Sequence, residues 1–253
     1  MKNLIRLTIL IISFSLFFGC AYMPDNGASN EVVNYDQLKQ VKTIALLDVA
    51  TPSKYWMGKA SSGVVSGLFG PTVSMATAEH EESDIFGRLN FTSTATDNLR
   101  SALENEGFDV ILLKADRPSD AKSKLLDDYS SLSNVNADAI LDVGPIHIGY
   151  REEIGAVNFT EGALSPDVSV QYRLVSTSDQ QTIAESNVFY SSWDYVENYT
   201  GYWAGAILVG PNEHIFKDKD SLEANPDEAV RRMEYAVNDV AKSIASSLKK
   251  SPD

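Results

Sequence analysis

The 253-residue chain has one cysteine, Cys20. No disulfide can form within it, so an exported fold built from it must be held by its core. Histidine is nearly as scarce, with His80, His147 and His214 far apart in sequence. Basic residues are outnumbered, 21 Lys and Arg against 35 Asp and Glu, for a formal net charge of −14. That balance excludes nucleic acid, whose phosphates demand a basic patch. It also argues against electrostatic adhesion to anionic lipid headgroups. The apolar run Leu7 to Phe18, broken by Thr8, Ser13 and Ser15, is shorter than the roughly 20 residues a transmembrane helix needs. No acidic residue precedes Cys20.

The N-terminus has the parts of an export signal. Lys2 and Arg6 give a positive start, the apolar run follows, and Gly19 is a small residue suited to cleavage. The lone cysteine stands directly after it. Leu16-Phe17-Phe18-Gly19-Cys20 resembles the lipobox of bacterial lipoproteins. The resemblance implies a signal peptide over 1–19, cleavage between Gly19 and Cys20, and lipidation of Cys20, with palmitate as an expected acyl group. Phe17 and Phe18 depart from the family pattern of Leu and then a small residue. Ala21 rather than Asp after the cysteine implies, in family terms, sorting to the outer membrane, facing the periplasm. Two or three acyl chains anchor stably, where one binds only marginally. Without Lys2 and Arg6, 19 basic residues face 35 acidic ones, a net charge of −16. Beside a lipobox, the Asn-x-Thr triplets at Asn90, Asn158 and Asn198 are chance matches to a glycosylation signal.

Polar, aperiodic residues 20–39 are expected as a flexible tether, and 40–253 as one globular domain with insertions near 54–82 and 193–224. Thr43 to Val49 is a branched apolar run, hence a buried strand. A helix is expected from Ser83 to Glu106, with Leu89, Ala95, Leu99, Ala102 and Leu103 as its apolar stripe and Gly107 as its stop. A strand from Phe108 to Leu113 and a shorter helix from Ser119 to Leu132 follow. A third strand covers Ala139 to Tyr150, with a bulge or edge position at Gly144-Pro145, because Pro cannot donate to a ladder. Val168, Val170, Tyr172 and Leu174 alternate with polar residues, as in a half-buried strand. Ser176 to Gln181 turns it into a hairpin with Thr182 to Ser192. The last helix is signalled by Asn225, Pro226, Asp227 and Glu228 at its start, and by a stripe of Ala229, Met233, Ala236, Val237, Val240, Ile244 and Leu248.

The expected class is α/β (α+β), order β-α-β-α-β-β-β-α, with helices packed on a mixed sheet. Strands separated by helices favour parallel neighbours, and strands joined by short turns favour antiparallel ones. This order resembles the domain shared by the curli-secretion lipoprotein, the lipoprotein activator of penicillin-binding proteins and the N-terminal domain of the Tol–Pal translocation protein. The resemblance covers about residues 40 to 250. It implies a periplasm-facing domain that binds proteins or assembles with itself, and it transfers no binding residue.

Motifs for chemistry are thin. His80-Glu81-Glu82-Ser83-Asp84 misses the second His of a zinc-protease helix, so an acidic loop is the better reading. His147, among apolar neighbours in a strand, reads as a core or edge residue. Gly58 to Gly63 has phosphate-loop spacing, but Val64 stands where Lys is required. No Gly-x-Ser-x-Gly elbow occurs. Glu152-Glu153 and Asp127-Asp128 could act as acid and base only if a cleft joined them. No cofactor and no metal are expected, and no enzymatic activity.

Two segments are unusual. Ala60 to Ala78 has no charged residue. It reads either as a loop on the domain or as a surface ordered by a partner or a bilayer. Gly70-Pro71 could tip a hairpin of the curli-pore kind, though clean alternation is lacking. Tyr190 to Phe216 is rich in rings, which either close the core or form an exposed patch for a partner. Tyr199, Tyr202 and Trp203 are the candidate partner-binding residues, with Gly201 and Gly205 beside them. The expected function is a non-enzymatic envelope lipoprotein that binds another envelope protein or itself. The alternatives are a subunit of a curli-type secretion pore and an enzyme acting on envelope polymers.

Overall fold

The computed structural model describes residues 32–58, 62–65, 72–75, 84–117, 124–152, 162–192 and 205–249. It is an α+β fold. Eight strands form one mixed sheet: β1 (Val32–Val33), β2 (Thr43–Leu47), β3 (Trp56–Gly58), β6 (Asp109–Leu113), β7 (Ala139–Glu152), β8 (Leu164–Ser176), β9 (Thr182–Ser192) and β10 (Ala206–Gly210). A separate antiparallel pair is formed by β4 (Ser62–Val65) and β5 (Thr72–Met75). The helices are α1 (Tyr35–Leu38), α2 (Asp84–Arg88), α3 (Phe91–Asn105), α4 (Lys219–Glu223) and α5 (Pro226–Ser247).

The main sheet runs β1-β9-β8-β7-β2-β6, with β10 also on β9 and β3 also on β7. The strands separated by helical segments are parallel, as expected: β2 lies between β6 and β7 and is parallel to both. The strands joined by short connections are antiparallel, also as expected. The hairpin between β8 and β9 turns at Gln180, whose φ is +59°.

Proline explains the shape of β7. The register with β8 shifts between Pro145 and His147, so the expected bulge is present. On its other side β7 meets β2 only at Ala139–Leu141 and β3 only at Gly149–Arg151. Pro145 sits in the gap between those two partners, where its missing N–H costs no bond to either.

α3 and α5 cover one face of the sheet. From α3, Phe91, Ala95, Leu99, Ala102 and Leu103 point inward at helical spacing. From α5, Ala229, Met233, Ala236, Val237, Val240 and Ile244 do the same, and Leu248 follows at the C-cap. The sheet answers with Ile44, Leu46, Val143, Ile148, Tyr150, Val168, Val170, Tyr172, Leu174, Val188 and Tyr190. Each large aliphatic buried this way is worth roughly 1.5–3 kcal/mol, which makes this interface the main source of stability. Buried Thr96 locks α3 to the sheet. It accepts from the Val49 N–H at 2.9 Å and donates to the Thr92 carbonyl at 2.7 Å.

Several expectations are corrected. The helix expected from Ser83 to Glu106 is two helices, α2 and α3. The chain leaves helical geometry at Asn90 (φ −81°, ψ 69°), and Leu89 just before it is buried. Gly107 does stop α3, at φ +90°. The helix expected from Ser119 to Leu132 is, among the described residues, only a 3₁₀ turn at Ser130–Leu132. Carboxylates have captured its backbone: the Leu126 N–H donates to Asp142 at 2.8 Å and the Ser130 N–H to Asp128 at 2.8 Å. The fold starts earlier than the expected tether boundary, because β1 pairs with β9 and Leu38 is in the core. Asn225 precedes α5, but its side chain makes no cap bond; Nδ2 donates to the Ser221 carbonyl at 2.7 Å instead. β1, β3, β10, α1 and α4 were not expected. Part of the uncharged segment is paired as β4 and β5, while Gly70 and Pro71 lie outside the described residues.

Candidate functional site

The face of the sheet opposite α3 and α5 is polar, and that is where the chemistry-bearing side chains gather. Pleating sends Val168, Val170, Tyr172 and Leu174 of β8 toward the helices, so Ser165, Asp167, Ser169, Gln171 and Arg173 point the other way. Register places Asp142 of β7 opposite Arg173, Gly149 opposite Asp167 and His147 opposite Ser169. It places Glu185 of β9 opposite Arg173 and Phe189 opposite Ser169. Several of these polar groups are nonetheless buried.

The face has two charged centres. At one end Asp142 is 0% exposed. Its carboxylate accepts from Arg117 Nη2 at 2.5 Å, from the Leu126 N–H at 2.8 Å and from Tyr129 Oη at 3.0 Å. Arg117 also donates to the carbonyls of Asp48 and Lys124, at 3.1 and 2.8 Å. Burial, and then the Asp142 charge, raise the Tyr129 phenol well above its ordinary pKa. These bonds hold residues 124–135 onto a small second core of Ala45, Leu47, Tyr129, Ile140 and Val175. Beside it Arg173 clasps Glu185 with two bonds, at 2.6 and 3.2 Å.

At the other end Asp167 is also 0% exposed, and its Oδ2 takes Arg151 Nε. His147 Nε2 lies 3.8 Å from Asp167 Oδ1. Desolvation dominates the imidazole and lowers its pKa to about 4, against the opposing pull of Asp167. His147 is therefore neutral at neutral pH. Ser169 Oγ, across the pair from His147, makes no hydrogen bond, so the three residues do not form an activated nucleophile. Asp142 and Asp167 do not form an acid–base pair either. Arg173, opposite Asp142, is six residues from Asp167 along β8, a separation of roughly 20 Å.

The expected site residues fall as follows. Gly19, Cys20, Tyr199, Tyr202 and Trp203 lie outside the described residues, as do His80 and Glu153. Asp128 accepts from the Ser130 N–H and hydroxyl, which lowers its pKa. His214 sits edge-on to Tyr235, with its Nδ1 3.3 Å from Tyr190 Oη. Of the ring-rich segment, Tyr190 and Phe216 are core residues. Among the described residues no group of three or more His, Cys, Asp or Glu is placed to hold a metal, and no helix is long and apolar enough to cross a membrane. An apolar cavity of about 20 Å³ lies between α3, α5 and the sheet, lined by Val49, Phe91, Leu99, Val143, Val168 and Val240 among others. Its lining side chains are all apolar, which suits neither water nor a polar substrate.

Among the described residues β1, β3, β6 and β10 each pair with one strand only, and β6 and β10 are the longer, apolar ones. β6, Asp109-Val110-Ile111-Leu112-Leu113, closes one side, with Leu112 42% exposed. β10, Ala206-Ile207-Leu208-Val209-Gly210, extends the other, with Val209 41% exposed. Neither strand contains the lysine or proline that commonly blunts an edge. Sequence reasoning missed β10, whose residues fall inside the expected insertion near 193–224.

No family model and no curated protein matches the sequence. Among solved structures the chain is similar to the PelC dodecamer from Paraburkholderia phytofirmans, at 9% identity over 88% of this chain and 96% of that one, with a TM-score of 0.36. It is also similar to protein XCC0632 from Xanthomonas campestris, of family DUF330, at 9% identity over 83% of this chain and 84% of that one, with a TM-score of 0.44. At this level neither similarity carries a function across.

Proposed function

We propose that this chain is a lipid-anchored lipoprotein of the bacterial cell envelope, whose domain binds another envelope protein or a second copy of itself without catalysis. The observation that carries the reading is the only cysteine of the chain, set directly after Gly19 at the end of the apolar N-terminal run. Ala21 supports outer-membrane sorting. The fold supports tethering. Eleven residues separate Cys20 from Val32 of β1, a reach of at most roughly 40 Å when fully extended. A domain confined that closely to a surface meets a partner in the same membrane at raised effective concentration. Among the described residues the apolar strands β6 and β10 each pair on one side only, which suits strand addition by such a partner.

The test is expression of the wild type and Cys20→Ser in a bacterium, following lipid label, membrane fraction and detergent-extracted size. Label and membrane retention in the wild type, both lost in the variant, support the anchor. An unlabelled wild type that is soluble in the periplasm overturns it.

The second reading, a curli-type pore subunit, is favoured by the antiparallel pairing of β4 and β5 inside the uncharged segment. Each described strand there has four residues, a rise of roughly 13 Å. The hydrocarbon core is about 30 Å thick, so the paired portion alone falls short of it. A large, detergent-stable ring would put this reading first.

A further inference from the structure

Three oxygen atoms on the polar face of the sheet are buried and make no hydrogen bond: Asp167 Oδ1, Ser169 Oγ and Ser191 Oγ. Register brings them together. Ser169 is two residues from Asp167 along β8, on the same face. Val168 of β8 pairs with Tyr190 of β9, so Asp167 and Ser191 stand one step beyond that pair on each strand. On β7 the residue opposite Asp167 is Gly149, and His147 Nε2 lies 3.8 Å from Asp167 Oδ1. Arg151 and His147 flank that glycine on the same face, and Arg151 Nε is bonded to the other carboxylate oxygen, Oδ2.

Buried polar atoms left dry each bear their full desolvation penalty, and native proteins satisfy such groups almost without exception. A small species that can both donate and accept would satisfy all three oxygens. We propose that they enclose a binding site for an internal water molecule, which donates to Asp167 Oδ1 and hydrogen-bonds the hydroxyls of Ser169 and Ser191.

Charge decides for water over an ion. The Asp167 carboxylate is already balanced by Arg151, and His147 is neutral. A cation would leave the buried site with a net positive charge beside a guanidinium, and an anion would face the carboxylate. Water adds no charge and can match all three oxygens, as buried waters with about three partners do.

The test uses the full chain in detergent. Crystals grown in sodium chloride and in rubidium chloride should show the same solvent peak within hydrogen-bonding distance of Asp167 Oδ1 and at least one of the two hydroxyls, with no anomalous signal from rubidium. Water relaxation dispersion should report a long-lived water whose residence time falls at least tenfold in Ser169→Ala/Ser191→Ala. An anomalous rubidium peak overturns the proposal in favour of a cation. A site without a peak, in which a serine hydroxyl bonds Asp167 directly, also overturns it, as does a residence time unchanged in the double variant.

Discussion

Arg117 Nη2 lies 2.5 Å from Asp142 Oδ1, and both side chains are buried. The two residues are 25 apart in sequence, and their bond fastens an otherwise irregular segment to the middle of the sheet. Removing one partner strands the other's charge. Arg117→Met should therefore destabilise the domain by about 3–5 kcal/mol, read from urea unfolding. Arg117→Met/Asp142→Asn should cost clearly less than the single change, since no orphan charge remains and the side-chain oxygen can still accept from the Leu126 N–H or Tyr129 Oη. A single variant within about 1 kcal/mol of wild type would refute this account of the pair.

The second prediction concerns pH. In the fold His147 has a pKa of about 4, below its ordinary 6.5, because burial disfavours the imidazolium. The unfolded chain therefore takes up the proton first as pH falls. Stability is unaffected above about pH 6.5, declines from there to about pH 4, and levels off below. The full loss is on the order of 3 kcal/mol. His147→Gln should flatten this part of the curve. Chemical denaturation at stepped pH checks it, and equal slopes in the two proteins between pH 6 and 4 would rule it out.

Glycine is required at both ends of β10. Gly205 has φ +118°, and a Cβ there would run into the Asn187 carbonyl oxygen. A Cβ on Gly210 would lie 2.5 Å from Tyr190 Oη. Gly205→Ala should cost about 2 kcal/mol or more and speed hydrogen exchange at 206–210. Gly87 of α2 has open space around its Cβ position, so Gly87→Ala should be neutral or stabilising by up to about 1 kcal/mol. Equal effects at the two positions would contradict the geometry.

The apolar edge gives a fourth prediction. Val209 is exposed on β10, so Val209→Lys should leave folding stability within about 0.5 kcal/mol. It should weaken association with a partner or a second copy, because an edge lysine discourages strand pairing. Cross-linking in membranes measures this. Undiminished cross-linking would remove β10 from the interface.

The parts of the fold legible in the sequence were those with local causes. The stripe from Ala229 to Leu248 marked α5 because helical spacing repeats one face. Gly107 marked the end of α3 because few other residues adopt its positive φ. Pro145 marked the bulge because it has no N–H. The parallel or antiparallel sense of neighbouring strands followed from connection lengths. Local signals failed where a distant group intervened. Residues 124–132 have helical patterning, yet Asp142 takes the Leu126 N–H and Asp128 takes that of Ser130, and the helix does not form. β1, β3 and β10 are short strands defined by the neighbour they pair with, which no stretch of two to five residues encodes alone.

The candidate site shows the same division. By itself the sequence determined the lone Cys20 behind an apolar run, the acidic balance and the alternation along β8, because composition and period are properties of the chain. Alternation marks Asp167, Ser169 and Arg173 as facing away from the helices, and it says nothing of whether that second face meets water. Only the tertiary structure decided that Asp142 and Asp167 are buried there, each held by an arginine, because burial depends on which distant segments return to cover the strand.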